Sequence, residues 1–161
     1  MLNQLPEWLR IFILSMMPGI EAKLTVPVLA LYQYKWTWYH AVPIGIMGNF
    51  MLVPIGLLFF HKLEKFLSKY EKIQRFMDWF FPRIRNKANK KIQQYKHLAL
   101  IFFVAIPLPF TGAGLGVVIA YLFNFEIKKS LIMILIGIII ATLITTFTYM
   151  AFEYVIFYKS Y

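Results

Sequence analysis

The segment PGIEAKLTVP, residues 18–27, decides how this chain folds. It places Glu21 and Lys23 inside a long apolar stretch and brackets them with Pro18 and Pro27. A proline removes a backbone donor and interrupts a helix. An ionisable side chain at membrane depth is costly unless it is paired or hydrated, and it usually faces a cavity. The segment therefore predicts a broken membrane helix with a polar tip.

The composition around this segment is typical of an integral membrane protein. The 161 residues are 60% hydrophobic, and the mean hydropathy is +0.64, values that exclude an ordinary soluble domain. The N-terminus lacks a basic start and a small-residue cleavage site, so no signal peptide is expected. The chain has no cysteine, which excludes disulfides and thiolate metal sites. The apolar regions are approximately 8–34, 36–60, 98–125 and 130–158.

A basic connector, residues 61–97, separates the second apolar region from the third. It holds eleven of the 17 Lys and Arg residues but three of the seven acids, so it carries eight of the ten net positive charges. The positive-inside rule predicts that the connector is cytoplasmic and disfavours nucleic-acid binding. Residues 61–81 have helical apolar spacing. They predict either an interfacial helix on anionic lipid headgroups or a solvated helix that covers the bundle ends. Residues 83–97 predict a short helix or a loop.

The first and third apolar regions are interrupted, whereas the second and fourth are long enough to cross a membrane. Pro18 and Pro107 each end an apolar helix of about 15 Å, which is half of a ~30 Å hydrocarbon layer. Interrupted segments at corresponding positions of two halves predict re-entrant hairpins. Four complete crossings with kinks are the alternative. The two possibilities differ at Lys128 and Lys129, which are cytoplasmic if residues 98–125 re-enter and external if they span.

The predicted fold class is an all-α integral membrane protein with two inverted repeats. Each repeat is a re-entrant helical hairpin followed by a transmembrane helix, and the basic connector joins the two. The whole chain, 1–161, is predicted to be one membrane domain, with residues 1–60 as the first repeat and 98–161 as the second.

The first break carries the strongest candidate site. Lys23 and the amides of a half-helix beginning near Thr25 predict a binding site for a phosphate or carboxylate. Burial disfavours the charged form of the Glu21 carboxyl group, whereas the positive charge of Lys23 favours it. A carboxyl group balanced in this way is suited to couple transport to protons. The alternative is a Glu–Lys pair that neutralises itself at the membrane interface.

The second break, IPLPFTGAGLG at residues 106–116, is the partner element. Pro107 and Pro109 prevent a helix here, and Thr111 is suited to cap the helix that follows. Gly112 permits close approach of a ligand or of another backbone. The spacing of Gly112 and Gly116 fits helix packing equally well.

Few other residues offer chemistry. Asn49 is expected to join helices or to bond to a broken hairpin. The histidines His40, His61 and His97 do not cluster at metal-ligand spacing. The sequence has no nucleophile–base arrangement, paired carboxylates or zinc motif, so we expect neither an enzyme nor a cofactor.

Three motifs resemble those of the small multidrug export protein family. They are EAKLTVP at 21–27, GNFMLVP at 48–54 and AIPLPFTGAGLGVVIA at 105–120. The family is similar in plan to DedA-type membrane proteins, which have two re-entrant hairpins and are linked to moving polyprenyl-phosphate lipids. The chain departs from the family patterns by Lys23 in place of arginine, Leu24 in place of glycine and Gly114 in place of tryptophan. The resemblance marks Glu21, Lys23, Pro27, Asn49, Pro107, Pro109, Thr111 and Gly112 as the matching positions.

The leading functional prediction is a transporter or lipid translocase in the plasma or inner membrane. Its substrate is expected to be amphipathic, with an anionic, polyprenyl-phosphate-like molecule favoured and proton coupling through Glu21. Export of cationic drugs, with Glu21 as the counter-charge, is one alternative. A non-transporting scaffold that binds anionic lipid through the basic connector is another. The short chain favours a homo-oligomer.

Overall fold

The protein is described from a computed structural model, which covers residues 4–67, 69–70, 75, 79, 90–108 and 112–158. Every regular element in these ranges is helical. The elements are α1 (Glu7–Met16), α2 (Glu21–Leu24), the π-helix π1 (Thr25–Gln33), α3 (Trp38–Leu67), α4 (Lys90–Ala105), α5 (Ala113–Leu122) and α6 (Ile127–Tyr158).

Helices α3 and α6 are long and apolar enough to cross a membrane, as the second and fourth apolar regions predicted. Their apolar spans are Trp38–Phe60, with 23 residues, and Ile127–Ile156, with 30 residues. Helix α3 is continuous through Pro43 and Pro54. It also continues into the basic connector as far as Leu67, beyond the predicted repeat boundary.

The two long helices run antiparallel. At one end of the molecule, the rings of Trp38 in α3 and Phe147 in α6 lie 5.7 Å apart between centroids. Farther along α3, Leu57 packs in the same buried cluster as Ile134, which lies near the start of α6. A residue near the start of α3 therefore lies beside one in the later part of α6, and a residue late in α3 lies near one early in α6.

The first half doubles back at residues 17–20, between α1 and α2. The indole Nε1 of Trp36 donates to Glu7 Oε2 at 2.8 Å. Arg10 Nη1 donates to the hydroxyl of Tyr34 at 3.1 Å. The start of α1 and the end of π1 therefore lie side by side at the end of the molecule that holds Trp38.

The second half doubles back in the same way, between α4 and α5. The rings of His97, in α4, and Phe125, just after α5, lie 5.4 Å apart between centroids. A Cβ added at Gly116 would stand 2.6 Å from Val104 Cγ2, so the two helices touch along their length. The open end of this pair lies beside the start of α6, at the opposite end of the molecule from Trp38.

A glycine in each long helix lets the first helix of the same half, α1 or α4, approach closely. In α3, a Cβ on Gly48 would overlap the backbone carbonyl of Phe12 in α1. In α6, a Cβ on Gly137 would stand 2.6 Å from Val104 Cβ in α4. Each half therefore has one such close contact between its first helix and its long helix.

Two predicted boundaries change, and some predicted features lie outside the described residues. Helix α4 begins at Lys90, so the segment before the second break is a 16-residue helix rather than the nine-residue one expected before Pro107. Pro109 and Thr111 lie outside the described residues, as do most of the amphipathic segment beyond Leu67 and residues 83–89.

Candidate functional site

The two helix breaks meet in the interior of the molecule. Lys23 Nζ, from the first break, donates to the backbone carbonyl of Leu108, in the second break, at 2.7 Å. The backbone of Gly112 packs against the carboxylate of Glu21 so closely that an added Cβ would overlap its atoms. The tips of the two doubled-back segments are therefore in direct contact.

Glu21 and Lys23 form a buried ion pair at this contact. Lys23 Nζ lies 3.3 Å from Glu21 Oε2. The side chain of Lys23 is 4% exposed and that of Glu21 is 6% exposed. The pair is buried within the protein. Screening by solvent and salt is weak for a buried pair, so each charge depends strongly on the other.

The turn that presents Glu21 is held in an unusual backbone conformation. Gly19 has φ 93°, which glycine adopts at no steric cost, but Glu21 has φ 47°. A non-glycine residue in the left-handed region costs of order 1–3 kcal/mol and persists only where its surroundings hold it. The amides of Ile20 and Glu21 both donate to the carbonyl of Met17, which closes the turn.

The structure corrects the predicted position of the helix start. The helix after the break begins at Glu21, and the amide of Thr25 already donates to the carbonyls of Glu21 and Ala22. The amides near Thr25 are therefore engaged, and the acid itself occupies the helix N-terminus, where a bound anion was expected. Thr25 is 2% exposed, and its hydroxyl has no hydrogen-bond partner within the described part of the chain.

Glu21 lines a cavity of about 320 Å³, here called the Glu21 cavity. Among the described residues, Glu21 and Asn49 are the polar members of its wall. Ile55 and Phe59, which line it, are 56% and 58% exposed, so its mouth opens on the outer face of α3. The remaining wall is Met16, Pro18, Leu52, Val53, Gly56, Phe60, Ala113, Gly114 and Val117.

Lys23 lines a separate cavity of about 380 Å³, here called the Lys23 cavity. Pro107 contributes to its wall, as do the α6 residues Thr145 and Thr148. Val28 and Phe152, which are 56% and 66% exposed, form part of its mouth. The acid and the base of one ion pair thus border different cavities.

The site lies at the middle of the apolar spans. Asn49, which is 6% exposed and shares the Glu21 cavity, is the central residue of the 23-residue span Trp38–Phe60. Each end of that span is about 16 Å away along the helix, which is half of a ~30 Å hydrocarbon layer. Asn49 therefore lies midway along this span.

The structure brings together most of the predicted site residues. Glu21, Lys23 and Gly112 are in contact, and Asn49 and Pro107 line the two cavities. Thr25 lines neither. Within residues 4–67, 90–108 and 112–158, no group of three or more acids and histidines has metal-binding geometry.

Sequence reasoning missed Leu108 and the threonines of α6. The carbonyl of Leu108 is a backbone acceptor, and no side-chain pattern marks it. Thr145 and Thr148, by contrast, are polar residues inside a 30-residue apolar span. Their position was a usable signal, because polar groups at membrane depth usually face the protein interior or a cavity.

The fold and the site together define a helical membrane protein of the transport type, with a buried ion pair between two cavities. A family model described as "Putative small multi-drug export protein" matches residues 21–144. The chain belongs to this family, as its motifs predicted. Searches of curated proteins and of solved structures gave no match. The similarity in plan to DedA-type proteins stays a prediction.

Proposed function

We propose that this protein is a membrane transporter that takes amphipathic organic cations from the lipid into the Glu21 cavity. One observation carries the proposal: an apolar cavity that opens on the outer face of α3 has a buried carboxylate in its wall. A cation with a large apolar body loses hydration when it enters such a cavity, and it binds only where a counter-charge is present. Glu21 supplies that charge, and Asn49 supplies polar contacts beside it.

Glu21 is the group that changes partner in this proposal. Without substrate, Glu21 contacts Lys23. When a cation occupies the cavity, the carboxylate of Glu21 would contact the cation instead. A proton competes for the same carboxylate, which gives a physical basis for exchange of substrate against protons. The strained backbone at Glu21 fits a residue that is held for function rather than for stability.

Two inverted re-entrant hairpins are the architecture that we propose for this transport. The first doubled-back segment has its open end beside Trp38, and the second has its open end beside the start of α6. Because α3 and α6 are antiparallel, the two segments would enter the membrane from opposite sides and meet near its midplane. Interrupted helices at such an interface are typical of transporter binding sites.

The topology predicts which face of the membrane exposes each open end. Lys35 follows the first segment, and Lys128 follows the second. With a cytoplasmic connector in a plasma or inner membrane, single cysteines at these positions of the naturally thiol-free chain should differ. We expect a membrane-impermeant maleimide to label position 35 only from outside and position 128 only from inside. Labelling of position 128 only from outside would contradict the re-entrant second hairpin.

A second candidate substrate is an amphipathic anion of the polyprenyl-phosphate kind. It is favoured by the Lys23 cavity, whose wall combines Lys23 with the hydroxyl-bearing residues Thr145 and Thr148. Transport of a long-chain alkyl phosphate that depends on Lys23, with no transport of cations, would select this candidate. Binding of anionic lipid by the basic connector and assembly into a homo-oligomer stay predictions.

Filling the Glu21 cavity tests the proposed function directly. Gly114 lines this cavity, and a Cβ added there meets nothing within 4 Å. We expect Gly114→Leu to reduce efflux of tetraphenylphosphonium from vesicles containing the purified protein by about 10-fold or more, because the new side chain occupies the substrate volume. Gly114→Ala, which adds one methyl group in open space, is the matched control and should transport normally. Equal transport by both variants would contradict a role for this cavity.

A further inference from the structure

The two members of the buried ion pair open into different cavities, and this arrangement links whatever binds in them. Glu21 borders the cavity whose mouth lies on α3, and Lys23 borders the cavity whose mouth lies on π1 and α6. The two charges are 3.3 Å apart. A ligand that engages one of them therefore acts directly on the partner of the other.

Charge balance makes single occupation unfavourable. A cation that takes over Glu21 leaves the ammonium of Lys23 with less compensation, although its hydrogen bond to Leu108 remains. A buried charge that loses its partner is strongly destabilising. An anion in the Lys23 cavity would restore the balance, so each ligand lowers the free-energy cost of the other.

The Lys23 cavity has the chemistry for an amphipathic anion. Lys23 brings a positive charge to this wall, and its ammonium group is held by the carbonyl of Leu108 and the carboxylate of Glu21. Thr148, on α6, is a hydroxyl-bearing residue of the same wall. The mouth is apolar and exposed, with Leu24, Val28 and Phe152 suited to an alkyl chain that stays in the lipid.

We propose that the Lys23 cavity binds the charged head of an amphipathic anion, and that this binding is positively coupled to cation binding in the Glu21 cavity. The coupling rests on the proposed function, because it requires a cation at Glu21. The inference extends the proposed function, because the protein would then bind two ligands of opposite charge, a cation in the Glu21 cavity and an anion in the Lys23 cavity.

The test measures the affinity of the purified full chain for tetraphenylphosphonium in neutral detergent micelles, with and without saturating dodecyl phosphate. We expect dodecyl phosphate to tighten tetraphenylphosphonium binding by about 5-fold or more. Coupling between binding sites is reciprocal, so tetraphenylphosphonium must tighten dodecyl phosphate binding by the same factor. Inorganic phosphate, which lacks the alkyl chain, should have a much smaller effect. A full effect of inorganic phosphate would overturn the assignment to an amphipathic anion.

Tetraphenylphosphonium and dodecyl phosphate have opposite charges and can attract each other in the micelle without the protein's help. Two variants distinguish this attraction from coupling through the protein. Glu21→Gln/Lys23→Met removes both charges, and any remaining effect of dodecyl phosphate in it is nonspecific. Thr148→Val alters only the wall of the Lys23 cavity and should weaken dodecyl phosphate binding while tetraphenylphosphonium alone binds as before. Equal effects of dodecyl phosphate in wild type and in the double variant would overturn the proposal.

The outcomes also distinguish this inference from the proposed function. Tetraphenylphosphonium binding that needs Glu21 but ignores or competes with dodecyl phosphate would leave the proposed function intact and overturn the coupling. No Glu21-dependent tetraphenylphosphonium binding at all would overturn both.

Discussion

Replacing Lys23 by methionine is expected to lower the free energy of unfolding by about 3–5 kcal/mol, because the substitution leaves the carboxylate of Glu21 buried without its partner. Lys23 and Glu21 are 4% and 6% exposed, so water cannot take over the role of the lost ammonium. In a detergent melt followed by circular dichroism, this corresponds to a fall in melting temperature of roughly 6–20 °C.

The matched double variant shows whether the loss comes from an uncompensated charge. Glu21→Gln/Lys23→Met removes both charges at nearly constant volume, and we expect it to regain most of the stability lost by Lys23→Met. Replacing a buried pair by neutral groups is often close to neutral, whereas breaking it is not. A double variant that is as unstable as the single one would show that the methionine itself fails to fit.

An exposed ion pair in the same chain is the second control. Lys129 Nζ lies 2.9 Å from Glu126 Oε1, but the two side chains are 51% and 69% exposed. Lys129→Met is expected to cost about 1 kcal/mol or less, because exposed pairs contribute little. Equal losses for Lys23→Met and Lys129→Met would mean that the Glu21–Lys23 pair is solvated, which contradicts the buried site.

Replacing Gly112 by alanine is expected to separate the two hairpin tips. The added methyl group would occupy the position of the Glu21 carboxylate, so either the start of α5 or the turn at Glu21 must move. Overpacking of this kind costs about 1–3 kcal/mol. Because the displaced group is the proposed substrate ligand, tetraphenylphosphonium binding should fall with the melting temperature.

Gly114→Ala separates this steric effect from the effect of losing a glycine. The two glycines are two residues apart, but a Cβ at Gly114 meets nothing within 4 Å. Gly114 lies inside α5, where alanine is favoured over glycine by roughly 0.5–1 kcal/mol, so Gly114→Ala should leave the melting temperature unchanged or raise it. Equal destabilisation by Gly112→Ala and Gly114→Ala would contradict the Glu21 contact.

A rescue experiment identifies the group that Gly112→Ala displaces. Aspartate at position 21 keeps the charge but has one methylene fewer, which draws the carboxylate away from position 112. We expect Gly112→Ala/Glu21→Asp to be more stable than Gly112→Ala, although Glu21→Asp alone shortens the ion pair's reach and destabilises. Strictly additive effects of the two substitutions would place Glu21 and Gly112 out of contact.

Much of the architecture was readable from local sequence, because it depends on chain length, helix breakers and hydropathy. A run of more than 20 apolar residues forms a helix long enough to cross a membrane, as α3 and α6 show. Proline and glycine end helices through their own backbone restrictions, which is why α1 ends at Met16 and α4 ends at Ala105. Hydropathy also marked Glu21 and Lys23 as costly charges in an apolar stretch, and the structure buries them as an ion pair.

The exact helix starts were less predictable. The position of Thr25 near a break predicted a helix start there, yet the left-handed backbone of Glu21 allows the helix to begin four residues earlier. Such a conformation has no signal in the identity of a glutamate. It exists because the contacts of Glu21 with Lys23 and Gly112 outweigh its local cost.

The sequence established the kind of protein, the places where its helices break and the charged residues that matter. The tertiary structure decided what those residues contact. The carbonyl of Leu108 is 85 positions from Lys23 along the chain, and the cavities draw their walls from helices that are far apart in sequence. Hydropathy and backbone restriction act locally, whereas the pairing of one break with the other depends on how two separate halves pack.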